Sequence, residues 1–125
     1  MENKTLEELN EAEKIISSTI KNCEKMQPKF TKGSSQYSLL ENRIKALYIA
    51  KALVRQENLS VYTLEELRQA LPPILSIIQK CEKGQSKFEM GTPYYQRFVP
   101  LISAMSLSLM LLKEEMDKRD SLISL

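Results

Sequence analysis

Leu6, Leu9, Ala12, Ile16, Ile20 and Cys23 recur at intervals of three and four residues, with charged and polar side chains filling most of the positions between. That period lines the apolar residues along one side of a helix and makes that side a core face. The stripe returns as Leu64, Leu67, Ala70, Ile74, Ile78 and Cys81. Each run opens on Thr-Leu-Glu-Glu, at Thr5 and at Thr63. The hydroxyl can accept an early backbone N–H while Glu8 or Glu66 reaches back, which is the pattern of a capping box. Tyr62 and Leu67 add the spacing of a hydrophobic staple, whereas Lys4 stands in the first run and lacks it.

A second helix is expected over about 34–57. Leu39, Leu40, Ile44, Ala46, Leu47, Ile49, Ala50, Leu53 and Val54 form one broad arc, opposed by Glu41, Lys45, Tyr48, Arg55 and Gln56. The fourth, over about 92–119, carries no charge between Phe98 and Leu112. A helix apolar nearly all round is buried on more than one side, so this one is either the centre of its own bundle or the face of a dimer. Fifteen residues with Pro100 and three serines are too short and polar for a membrane span of about 20 apolar residues. No membrane partner is expected. The apolar tail 121–125 is expected to pack on the same surface.

The chain is one unit written twice. At a constant offset of 58, residues 5–57 and 63–115 share 21 of 53 identities without a gap. The differences are as informative as the matches. Lys14-Ile15 becomes Pro72-Pro73, and proline removes an N–H donor and crowds the preceding turn, so the third helix is expected to be kinked or broken there. Arg43 and Lys51 become Leu101 and Leu109, and Glu41 and Ala52 become Val99 and Met110. Gly33 and Gly91 each precede a hydroxyl cap, Ser34 or Thr92, with Pro93 at a first-turn position. Lys21, Lys25, Lys80 and Lys83 suit the carbonyl ends of the first and third helices. Phe30 and Phe88 are expected to plug the turns against the core. The resulting expectation is a single all-α domain, residues 1–125: a four-helix up-and-down bundle of two tandem hairpins, with the second and fourth helices supplying most of the core.

Composition narrows the functions more than it names one. Of 125 residues 42% are hydrophobic and 27% charged, ordinary for a globular chain, and the net charge is +2. Residues 1–58 hold 10 basic and 8 acidic side chains and residues 59–125 hold 8 of each, too even a balance to favour nucleic acid. There is no histidine, no CxxC pair and no glycine-rich phosphate loop. No catalytic residue, metal or cofactor is therefore expected, nor an enzyme. Two cysteines at equivalent places are too few for a secreted disulfide framework, and no leader pattern precedes Thr5, so the reading is a cytoplasmic protein with reduced thiols.

The element C-E-K-x-Q-x-K-F-x-x-G, at Cys23–Gly33 and again at Cys81–Gly91, resembles small helical-hairpin-repeat proteins of Gram-positive bacteria. That resemblance implies a bacterial four-helix fold without an established activity and supplies no functional residue. Function is expected to be non-enzymatic: an interaction or adaptor module, a homodimer or the partner of another protein. Its candidate interface is Leu101, Leu107, Leu109, Met110 and Leu111. A candidate polar ligand surface is shared by both copies: Glu24, Gln27, Lys29 and Tyr37, with Glu82, Gln85, Lys87 and Tyr95. The alternative is a regulatory protein contacting nucleic-acid phosphates through Lys21, Lys25, Lys29, Lys32, Arg43 and Arg55.

Overall fold

Both capping boxes form. In the computed structural model, which describes residues 5–124, the Thr5 and Thr63 hydroxyls accept from the backbone N–H of Glu8 and Glu66, and each Glu carboxylate returns to the N–H of its Thr. Lys4, Leu125 and the rest of the first four residues lie outside the described part. From these caps run α1 (Leu6–Met26) and α3 (Leu64–Gln85). Ser34 and Thr92 cap α2 (Ser35–Val54) and the short α4 (Pro93–Gln96), and α5 (Val99–Ser124) completes the chain. Gly33 and Gly91 sit at φ of 91° and 87°, a left-handed conformation that costs glycine little, so the two turns are built alike.

All four long helices pack together. Each touches the next in sequence, α5 closes the ring on α1, and α2 and α5 also meet across the middle. Ile16, Leu47, Leu67, Ile74, Met105 and Leu112 are fully buried where these faces converge, each worth roughly 1.5–3 kcal/mol over exposure. The fold is all-α and consistent with a four-helix bundle. The second and last helices together supply about half of the buried residues, but unevenly: α2 has eight, whereas α5 has Ala104, Met105, Ser108 and Leu112 among its described residues. Ser108 is tolerated there because its hydroxyl donates to the Ala104 carbonyl at 2.8 Å.

Of the kink or break expected at Pro72-Pro73, the break is absent. α3 runs unbroken through both prolines, because Leu67, Ala70, Ile74, Ile77 and Ile78 bury its inner face on either side of them. Pro72 is exposed and Pro73 half-buried, so the helix keeps them off its core stripe. The interruption falls instead at Arg97–Phe98, where Pro100 has no N–H to give Gln96; the last helix is bent there. The first copy has Asn42 at that place, and α2 is continuous.

α2 also stops earlier than expected, at Val54. Gln56 takes a left-handed φ of 57° while its N–H meets the Leu53 carbonyl and the Glu57 N–H meets that of Ala52, a Schellman closure without glycine. The connection to α3 is fastened from outside the repeat. The Arg119 guanidinium donates to the carbonyls of Leu59 and Tyr62 and pairs with Glu115 at 3.0 Å.

Candidate functional site

The two lateral faces between hairpins are equivalent by duplication but filled differently. Ile15 on α1 and Leu101 on α5 are both half-buried and packed against the core. At the matching places between α2 and α3 stand Pro73 and Arg43, which leave a groove of about 1030 Å³. Leu39, Ala46 and Ile49 wall it from α2, and Pro72, Pro73 and Ser76 from α3. Met26 and Phe30 close one end, Tyr62 and Glu66 the other. Leu39 is 70% exposed, although the pattern of the chain assigns it to a core arc.

Three cations also border the groove: Arg43, Lys45 and Lys80. Among the described residues no carboxylate lies within ion-pair reach of them, and Arg43, although half-buried, makes no hydrogen bond to protein. Its nitrogens keep some contact with solvent, since no buried polar side-chain atom in the described structure lacks a partner. Lys80, expected at the end of α3, instead borders this groove, and Lys83 takes the last turn.

Arg43 also lies between the two copies electrostatically. Burial pushes the thiols of Cys23 and Cys81 above their ordinary range, and the Arg43 charge pulls both partly back. Both cysteines are free, Cys23 buried and Cys81 half-buried. On the neighbouring edge of α2 the Tyr48 hydroxyl donates to Glu24 Oε2 at 2.9 Å, a bond that raises the Tyr48 pKa because ionisation would break it.

The residues singled out from sequence are dispersed. Leu101, Leu107, Leu109 and Leu111 are half-buried and pack against the bundle's own core, while Met110 is half-buried. α5 touches α1, α2 and α3, so much of its apolar surplus is used internally. The helical stretch Pro93–Leu122 is long and apolar enough to cross a membrane by length and composition, with a mean hydropathy of 1.3 over its best window, of which 22% is buried. The charge-free run 98–112 is the source of that value. Of the apolar tail 121–125, Ser121 and Leu122 are exposed, Leu122 at 67%, and the other three side chains lie outside the described part.

Of the eight shared polar residues, only Gln85 and Tyr95 bond to one another among the described residues, the Gln85 amide donating to the Tyr95 carbonyl at 3.3 Å. Glu24 is taken by Tyr48, and the Tyr37 and Tyr95 backbone N–H groups are capped by Ser34 and Thr92. Gln27 lies half-buried in a short 3-10 turn, and Lys29, Glu82 and Lys87 are exposed. Phe30 packs on the core as expected, but Phe88 is 40% exposed and stacks on Tyr94 at 5.3 Å and Phe98 at 6.3 Å. The six basic residues of the nucleic-acid alternative are split: Arg55 follows α2 and pairs with Glu13 and Glu57, whereas Lys25, Lys29 and Lys32 lie at or before its other end.

Sequence reasoning missed the groove. Both substitutions that create it, Lys14-Ile15 to Pro72-Pro73 and Leu101 to Arg43, are visible in the alignment of the copies, but only the packing of α2 against α3 brings them to one surface. Among the described residues no cluster of three or more Cys, Asp or Glu is arranged to hold a metal ion. No family model matches this chain, nor does any curated protein or solved structure.

Proposed function

We propose that this chain is a non-enzymatic helical interaction module that receives a partner protein along the α2–α3 face. The observation that carries the reading is the groove itself, in which a half-buried guanidinium without a protein partner borders exposed Leu39 and Pro72. A half-buried cation with no anion is poorly compensated by the fold alone, and a partner that supplies one gains from it. Leu39→Glu in the groove and Ser106→Glu on the exposed side of α5 separate the possibilities. Tagged wild type and Ser106→Glu should recover the same protein from the native lysate and Leu39→Glu should not. Equal recovery by all three, or loss with Ser106→Glu alone, overturns the assignment.

A second reading, self-association along α5, is favoured by its uncharged outer positions Val99, Ser103 and Ser106, all exposed. Light scattering over a hundredfold range of concentration tests it. A mass that stays monomeric throughout removes it, and a dimer abolished by Ser106→Glu supports it.

A further inference from the structure

We infer that the occupant of the α2–α3 groove is an amphipathic helix of a partner protein carrying acidic residues from its middle, beside Arg43, toward the Lys80 end, an inference that rests on the interaction reading above. Length argues for a helix. The lining residues of α2 run from Gln36 to Ile49 and those of α3 from Glu66 to Lys80, about 20 Å in each case at 1.5 Å per residue. Three to four helical turns fit that span. The wall supplies the apolar half of the match, since Leu39, Ala46, Pro72 and Pro73 offer no side-chain hydrogen-bonding group and can take anchors at i, i+3 or i+4, and i+7.

Charge selects among amphipathic helices. Among the described residues, Arg43, Lys45 and Lys80 border the groove without a carboxylate in reach, and Glu66 is the only acid lining it. The Arg43 guanidinium is a planar fork suited to a carboxylate, and partial burial keeps salt from screening it fully. An acidic side chain of the partner is therefore favoured beside Arg43 and Lys80 and disfavoured at the Glu66 end. At the positions equivalent to Pro73 and Arg43 stand Ile15 and Leu101, which pack against the core and offer no cation.

The test is selection of a displayed library of randomised 14-residue amphipathic peptides against the full chain, followed by affinity measurement on synthetic copies of the winners. Wild type should enrich peptides with Asp or Glu beside an i, i+3/i+4, i+7 apolar pattern. Binding should weaken with salt and vanish when proline is placed at the peptide's centre. Arg43→Leu, which installs the residue of the other copy, should weaken these peptides about tenfold; Arg43→Gln serves should the leucine variant melt early. Winners without acidic bias, or indifferent to Arg43, overturn the acidic-helix inference and leave the groove standing. Winners that bind equally well after Pro72→Lys with Pro73→Ile, or no enrichment at all, remove the groove reading too. Enrichment that survives central proline replaces the helix with an extended segment and equally overturns the inference.

Discussion

The first hairpin and the second begin and turn in the same way yet present different surfaces. Their caps match residue for residue, Thr5 with Thr63 and Ser34 with Thr92, and their turn glycines share one left-handed conformation. What has drifted is the lateral faces and the helix ends. At equivalent positions Ile15 and Leu101 pack against the core, whereas Pro73 and Arg43 line the groove. The contrast shows that a duplicated bundle keeps the features that fix its topology and is free to change where one copy meets the other. A groove can then differ between equivalent faces through a few side chains, without any new element being built.

Exchanging the faces is the strongest way to break that contrast. Pro72→Lys with Pro73→Ile should restore N–H donors to the carbonyls of Arg68 and Gln69 and return an apolar side chain to the wall. Proline inside a helix costs about 3 kcal/mol, so denaturant unfolding should show a gain of that order, together with loss of groove binding. A variant no more stable than wild type would mean that packing around α3 already offsets the prolines.

The second test concerns a size exchange at the turn end. The first copy has Met26 and Leu40 where the second has Gly84 and Phe98. A Cβ on Gly84 would lie 2.9 Å from Phe98 Cε1 and 3.0 Å from Cζ, so the ring needs the glycine. Gly84→Ala should destabilise by about 2 kcal/mol through overpacking, despite alanine's better helix propensity. Adding Phe98→Leu should recover most of the loss, measured as a double-mutant cycle by thermal unfolding. Additive effects would show that the two positions are not coupled.

Elements with strong local chemistry were legible in the sequence: both capping boxes, both glycine turns and the 3.6-residue stripes of α1 and α3. The misses share a cause, which is tertiary packing overruling a local preference. Pro72 and Pro73 read as a kink or a break, but α3 is not broken, since buried residues on both sides hold it together; Pro100, without such support at the entry to α5, is where the helix gives way. The sequence leaves open whether the leucines of α5 are the centre of the bundle or an interface; Leu101, Leu107, Leu109 and Leu111 pack partly on the core, since α5 touches three other helices. Arg43 read as one of several surface cations. Its place in a groove depends on which helix of the other hairpin lies beside α2, and no spacing within one copy contains that information.

A smaller effect is expected at the end of α2. Gln56 adopts φ of 57°, whereas its counterpart Glu114 continues a helix that runs on to Ser124. A left-handed conformation costs a residue with a Cβ about 1 kcal/mol relative to glycine. Gln56→Gly should therefore raise unfolding stability by roughly 0.5–1 kcal/mol, and Glu114→Gly should lower it by a similar amount, since there the glycine falls inside a helix. Equal signs for the two would show that the copies do not end differently in solution.

The finest probe is the pair of thiols. Burial raises both above the ordinary thiol value and Arg43 opposes the rise in both, so a single cation couples equivalent residues of the two copies. The raised folded pKa means that the protonated thiols favour the native state. Their contribution is fully present below the unfolded value, about pH 8.5, and is lost as pH rises through the folded values. Tyr48 adds the same sign at higher pH, through its bond to Glu24. Modification by a disulfide reagent, followed against pH, should be slower at buried Cys23 than at half-buried Cys81. Arg43→Leu should move both rate profiles to still higher pH, because it removes the charge that favours each thiolate. A shift at only one cysteine would place Arg43 beside one copy alone and cut the electrostatic link between them.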